Sequence, residues 1–185
     1  DANGSGADIA VDSDGEVYIS YDCEWQPSGF RCIPSDPSIL YTVRLVSSKD
    51  WTKIYGWEGG GGKVEVDSQK RPWVVYVPKS ERCVHYWIDP ADLTGNDHST
   101  VCSPSISSIS AVLDGNDTLR FAYYDGFTNG GSLVYAEQEP VSGTWQSTIV
   151  DGQNPQDEDA GNSPHLAVDT AGNPSLAVPA APNWR

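Results

Sequence analysis

Apolar and polar residues alternate in short runs along most of this chain, and no stretch sustains the 3.6-residue period of an amphipathic helix. A short apolar run, Ile9 to Val11, leads into a polar turn, Asp12 to Gly15, and an alternating run follows with Val17, Ile19 and Tyr21 on one side. Strand, tight turn and strand in that order predict a β-hairpin. The 18 Gly and 13 Pro interrupt the chain at short intervals, as they do in sandwiches, barrels and propellers. The expected class is all-β.

The hairpin recurs. "DIAVDSDGEVYISYD" from Asp8, "KVEVDSQKRPWVVYV" from Lys63, "ISAVLDGNDTLRFAYYD" from Ile109 and "HLAVDTAGNPSLAV" from His165 align on Asp12, Asp67, Asp114 and Asp169. The anchors are 55, 47 and 55 residues apart, close to the ~50 residues of one four-stranded propeller blade. A third strand follows each full hairpin ("ILYTVRLV" from Ile39, "CVHYWI" from Cys83, "SLVYAEQE" from Ser132), and a fourth is visible in "WTKIYGW" from Trp51 and "TWQSTIV" from Thr144. The prediction is a β-propeller of four-stranded antiparallel blades, about three and a half of them, in one domain over 1–185. The blades span about 7–57, 62–101 and 107–150, with a half blade over about 163–182. A β-sandwich competes, but sandwiches do not repeat a four-strand unit with the same turn chemistry. Gly15 and Gly172 stand three residues after their anchors, where a tight turn needs positive φ. Lys70 and Asp117 replace them elsewhere, which predicts a different turn type in those two repeats.

"GNSPHLAVDTAGNPSLAV" from Gly161, "RFAYYDG" from Arg120, "LVYAE" from Leu133 and "GTW" from Gly143 resemble the repeats of secreted bacterial β-propeller proteins, distantly sialidase-like, over nearly the whole chain. The resemblance implies the fold and a secreted location. It implies no particular reaction, because sialidase-like enzymes, polysaccharide lyases, lectins and adhesion proteins share the signature. The sialidase Asp-box is met only in part, by "SDGEVY" at Ser13.

Composition narrows the function classes. Lys and Arg total 11 against 26 Asp and Glu, a net charge of −15 that opposes sequence-independent binding to a nucleic-acid backbone or an anionic leaflet. No nucleic-acid partner is expected, and with no run of ~18 apolar residues no membrane insertion is expected either. Asp1 opens the chain without an initiator Met or an apolar leader, so a targeting segment is expected to have been removed or to lie outside this sequence. The four cysteines fall in two pairs close in sequence, Cys23 with Cys32 and Cys83 with Cys102. Such pairs favour disulfides and an extracellular, periplasmic or cell-surface location. Neither pair has the C-x₂₋₄-C spacing of a zinc site, and no metal site is assigned. "DSDG" from Asp12 is similar to the start of a calcium loop, but no later acidic ligand completes the spacing, and turn chemistry explains the motif better. Calcium is the one cofactor considered. Asn3 and Asn116 open N-x-S/T sequons, a number that chance accounts for.

The chain opens on the first strand of one repeat and stops after the second strand of the fourth. Native proteins avoid the open strand edges this would leave. The expectation is a fragment of a longer chain; completion by another chain is the alternative.

In such repeats the loops after each second strand share a face with those leading into the next first strand. The long, varied loops are of this kind: "CEWQPSGFRCIPSDPS" from Cys23, "DGFTNGGS" from Asp125 and "GWEGGGGK" from Gly56. Variable loops on a rigid scaffold are where binding residues concentrate. The 7 Trp and 9 Tyr are many for this length, and sugar faces stack on aromatic rings flanked by carboxylates. Candidate ligand-binding residues are Trp25, Arg31, Trp57, Glu58, Arg82, Tyr124 and Asp125. Trp51, Trp73, Trp87 and Trp145 are expected to pack between blades. No Ser/His/Asp order is visible, and Gly59 to Gly62 lacks the Lys-Ser/Thr of a phosphate loop, so no catalytic residue is assigned. The expected function is a non-catalytic extracellular binding or assembly module whose ligand is a carbohydrate or another surface protein. One alternative is a fragment of a sialidase-like glycoside hydrolase or polysaccharide lyase, with Arg31, Arg44, Arg82 and Tyr124 as candidates by loop position. The other is a structural subunit that completes its propeller with another chain.

Overall fold

The computed structural model describes residues 7–23, 25–26, 29–30, 39–45, 51–57, 59–78, 81–88, 97–126, 131–139, 142–152 and 163–178. Side chains are placed at 7–21, at 61–78 and, within those ranges, from 81 onward. The chain divides into two compact units, Asp1–Thr100 and Val101–Arg185.

In the first unit, β1 (Asp8–Val11) and β2 (Val17–Cys23) form the recurring hairpin, and β3 (Trp25–Gln26) with β4 (Gly29–Phe30) form a small separate ribbon. β5 (Ile39–Leu45) and β6 (Trp51–Trp57) complete an antiparallel sheet in the order β1-β2-β5-β6. β7 (Gly59–Val66), β8 (Pro72–Pro78), β9 (Cys83–Ile88) and β10 (His98–Cys102) form the next sheet in the same manner, β10 running across the boundary into the second unit. The second unit holds a third sheet in chain order, β11 (Ile106–Leu113), β12 (Leu119–Asp125), β13 (Ser132–Gln138) and β14 (Trp145–Asp151). It also holds a hairpin of β15 (His165–Val168) and β16 (Pro174–Ala177).

Two segments expected as loops are strand. The glycine run opens β7, where Gly59 and Gly60 pair with Pro78 and Val77 ahead of a bulge between Gly60 and Lys63. A run without side chains passes such a bulge at little steric cost. Within the long loop expected from Cys23, β3 and β4 pair as strands.

All four hairpins close on one turn. In each, the anchor aspartate's Oδ1 accepts the backbone N–H groups two and four residues on: Asp12 from Asp14 and Glu16, Asp67 from Gln69 and Arg71, Asp114 from Asn116 and Thr118, Asp169 from Ala171 and Asn173. These bonds span 2.8 to 3.1 Å. The anchor carbonyl also accepts the N–H three residues on. The residue there has positive φ in every repeat: Gly15 at 84°, Lys70 at 65°, Asp117 at 60° and Gly172 at 83°. The expectation of a second turn type at Lys70 and Asp117 is therefore wrong. Left-handed backbone costs roughly 1–2 kcal/mol for a residue with a Cβ, comparable to what a carboxylate accepting two N–H donors returns. The aspartate, and not the glycine, is what the turn requires.

β8 lies between neighbouring strands and buries both faces, so it reads as an apolar run rather than an alternating one. Trp73 through Tyr76 of β8 are all buried. Tyr18 of β2 packs with Val64, Val74 and Tyr76 across the first two sheets, with Ala10, Val66 and Trp87 around them. Full burial of a Val or Tyr of this kind contributes about 1.5–3 kcal/mol. Trp73, by contrast, stacks on Tyr86 of its own sheet at 5.4 Å and donates to Asp67 at 3.0 Å. Trp145 packs on Phe121 of its own sheet at 4.9 Å, and the side chain of Trp51 lies outside the described residues.

Within each unit one sheet is joined to the next by the same device. The residue four before the anchor uses its side chain to accept an N–H from the following innermost strand: Asp8 from Val64 at 3.0 Å, Ser110 from Leu166 at 2.9 Å. Beside the turns, Lys70 pairs with Asp14 in the first unit, and Arg120 donates to the Gly172 carbonyl in the second.

Burial alone would push the Asp67 and Asp114 carboxyls up; the turn N–H groups, joined by Trp73 and Arg71 at Asp67 and by Arg120 at Asp114, outweigh it and hold both below the usual carboxylate range. A depressed folded pKa gives stability that is present above the unfolded value and lost as pH falls through the folded one. Asp67→Ala is expected to lower stability by about 2–3 kcal/mol, and Gly172→Ala by about 1 kcal/mol. Urea denaturation of both variants against the parent chain checks these values.

Candidate functional site

Antiparallel pairing puts two ends on every sheet. The aspartate turns occupy one end, and the opposite end carries the start of each innermost strand together with the passage from second to third strand. Between those two ends, on the innermost strands of the first unit, three charged side chains come together. Asp8, which begins β1, accepts the Val64 N–H through Oδ2, and its Oδ1 lies 3.9 Å from Lys63 Nζ. Both side chains are part-exposed, at 28% and 25%. Glu65, two residues further along β7 and hence on the same strand face as Lys63, is pushed up to about 7, first by burial and then by Asp8, with Lys63 opposing.

The group thus offers a carboxylate fixed by a backbone donor, an ammonium beside it, and a carboxyl that exchanges its proton near neutrality. Such a set can donate and accept hydrogen bonds toward a hydroxyl-rich ligand, and two carboxyls in such different states can divide acid and base roles. Sequence reasoning overlooked these residues. Their signal was the pair of charges in "KVEV", where the aligned strands have apolar or small residues at the Glu65 position.

A second polar group lies on the second sheet. His85 is 5% exposed, with Nδ1 2.9 Å from Asp97 Oδ2 and Nε2 2.9 Å from Glu81 Oε2. Tyr76 donates to Asp97 Oδ1 at 3.2 Å. With a carboxylate on each nitrogen the ring is held at both edges, tying the turn before β9 to the segment before β10. Tyr86, between Trp73 and His98 in a stack, continues the same sheet.

The residues singled out from sequence are dispersed. Trp25 and Trp57 lie in β3 and β6, but their side chains, with Arg31, Glu58 and the expected Cys23–Cys32 pair, lie outside the described residues. Arg82 belongs to the first unit and is exposed before β9. Tyr124 and Asp125 belong to the second unit, and as strand neighbours they point to opposite faces. The Tyr124 ring lies over Gly131, where an added Cβ would come within 2.1 Å of its hydroxyl. Asp125 is 5% exposed and accepts from Ser103 Oγ at 2.6 Å. It sits near Tyr123, which is pushed up to about 12 by burial and by the Asp125 charge. Tyr124 is packed on backbone and Asp125 is committed to an internal hydrogen bond. Cys83 and Cys102 are both disulfide-bonded. The Asp12 carboxylate, considered above for calcium, is occupied by its own turn, and no group of three or more metal-ligating side chains occurs among the described residues.

No protein-family model and no curated protein matches the chain. Solved structures do. A mutant of the GH43 protein BlXynB from Bacillus licheniformis aligns over 92% of this chain and 36% of its own, with a TM-score of 0.56 and 11% identity. An endo-arabinase from Bacteroides thetaiotaomicron aligns over 100% of this chain and 75% of its own, with a TM-score of 0.55 and 12% identity. A fucose lectin from Kordia zhangzhouensis, solved with methyl-fucoside, aligns over 77% of this chain and 97% of its own, with a TM-score of 0.45 and 13% identity. This chain therefore spans just over a third of the BlXynB chain. The fold is that of a β-propeller, built from four-stranded antiparallel sheets.

Because the Glu65 carboxyl is raised in the folded state, it binds its proton more tightly there than in the unfolded chain, and its contribution to stability is lost as pH rises from about 4.5 to about 7. Glu65→Gln is expected to leave stability unchanged near pH 4 and to raise it by about 1–2 kcal/mol above pH 7. Thermal or urea unfolding at the two pH values checks the sign and the window.

Proposed function

We propose that this chain is an extracytoplasmic propeller module that binds carbohydrate at a charged group on the innermost strands of its first two sheets. The observation that carries the reading is the Asp8, Lys63 and Glu65 group: charged, part-exposed side chains on two neighbouring innermost strands, held together by the bond from the Val64 N–H to the Asp8 carboxylate. A saccharide is a dense set of hydroxyls, and a few fixed polar groups that both donate and accept suit it. Disulfide-bonded Cys83 and Cys102 support an oxidising compartment.

One observation favours a second reading, glycoside cleavage. Glu65 holds a proton up to about pH 7 beside Asp8, the pairing of states that an acid and a base need. On that reading Glu65 donates the proton and Asp8 acts as the carboxylate.

A glycan array followed by titration calorimetry on the purified chain tests both. Binding of at least one saccharide is expected, weakened about tenfold by Asp8→Asn, the equivalent of ~1.4 kcal/mol, with circular dichroism unchanged. No saccharide bound, or equal binding by parent and variant, overturns the proposal. Release of reducing ends that Glu65→Gln abolishes while binding persists favours the second reading.

A further inference from the structure

We propose that His85 is a proton-operated latch, holding the turn before β9 while both ring nitrogens carry a proton and releasing that turn when one proton leaves. The side chain is 6% exposed. Nδ1 lies 2.9 Å from Asp97 Oδ2 and 3.0 Å from Oδ1, and Nε2 lies 2.9 Å from Glu81 Oε2. An ionised carboxylate only accepts, and a neutral imidazole carries a single N–H. Both contacts are hydrogen bonds only when the three groups hold two protons between them. With one proton fewer, one contact becomes two acceptors facing each other, and it opens.

The geometry selects which side opens. Asp97 brackets Nδ1 with both oxygens and also accepts from the Tyr76 hydroxyl at 3.2 Å. Glu81 meets Nε2 with one oxygen and is the more exposed carboxylate, 55% against 39%, so water replaces its lost partner more readily. The remaining proton therefore stays on Nδ1, and Glu81 lets go. Among the described residues Glu81 then keeps only the bond from its N–H to the Pro78 carbonyl, 3.3 Å long. Tyr76 stays on Asp97, and its ring packs with Tyr18, Val64 and Val74, so the opening leaves that core closed. The released turn leads into Arg82, which is exposed, and the latch thereby changes how a surface cation is presented.

The titratable groups around the ring are few among the described residues. β8 contributes Tyr76, with its ring centroid 5.8 Å away. The turn before β9 contributes Glu81, and the segment before β10 contributes Asp97. On β9 itself, Cys83 shares the His85 face but is disulfide-bonded, and Tyr86 points to the opposite face, where it stacks on His98. From the first sheet Tyr18 packs with Tyr76, and its hydroxyl donates to Glu16.

Nitrogen-15 NMR of the full chain at about pH 5 and about pH 9, either side of the range over which an imidazole changes charge, tests this. Both His85 ring nitrogens are expected to carry protons at the lower pH, and Nδ1 alone at the higher. Over the same step the Glu81 amide should lose about tenfold of its hydrogen-exchange protection, corrected for the intrinsic rate, which is the scale of one charge-assisted hydrogen bond. Glu81→Gln should abolish that loss, because an amide accepts from a protonated nitrogen and donates to a bare one. The variant leaves Glu65 in place, so it also separates the latch from the titration of that carboxyl. The same number of ring protons at both pH values overturns the proposal. So does a proton retained on Nε2, protection at Glu81 that does not change, or a change that Glu81→Gln leaves intact.

Discussion

One carboxylate closes each of the four recurring hairpins. At Asp12, Asp67, Asp114 and Asp169 the same oxygen gathers two backbone donors, and the resulting turn holds a residue at positive φ whether or not that residue is glycine. The turn fixes the register of first strand on second, and a shift of one residue would turn every side chain to the wrong face. All the packing described above follows from that register. Val64 and Val74 reach Tyr18 because their strands are pinned at this end.

Fixing one end frees the other. Away from the turns the chain is released from the repeat, and loop length, composition and charge vary from one sheet to the next. Asp8 shows how scaffold and site share a residue. Its carboxylate joins the first sheet to the second through the Val64 N–H, and the same charge stands beside Lys63 and raises the carboxyl of Glu65. A polar group held by the contact between sheets is preorganised at no separate cost. The His85 cluster shows the opposite use of polar residues: its carboxylates are taken up in holding an imidazole.

The repeat was legible because its determinants are local. An anchor aspartate, a turn and alternating apolar residues lie within fifteen residues of one another, so the hairpins, their spacing and the all-β class could be read directly. Turn type was misread at Lys70 and Asp117, since a residue's usual φ preference was taken as decisive when the aspartate's hydrogen bonds outweigh it. The glycine run was misread for a related reason: glycine is a poor strand former alone, but pairing with Pro78 and Val77 makes it strand. Among candidate site residues, Asp125 was chosen for its place at a loop, and only the packed structure reveals Ser103 against its carboxylate.

By itself, then, the amino-acid sequence determined what depends on neighbours along the chain: the four hairpins, their anchors and the acidic balance. Tertiary structure decided what depends on distance through space. Asp8 and Glu65 become one charged group, and His85 is enclosed by Glu81 and Asp97. The physical reason is that electrostatic coupling and burial are set by which sheet lies against which, and that arrangement has no signature in any short window of residues.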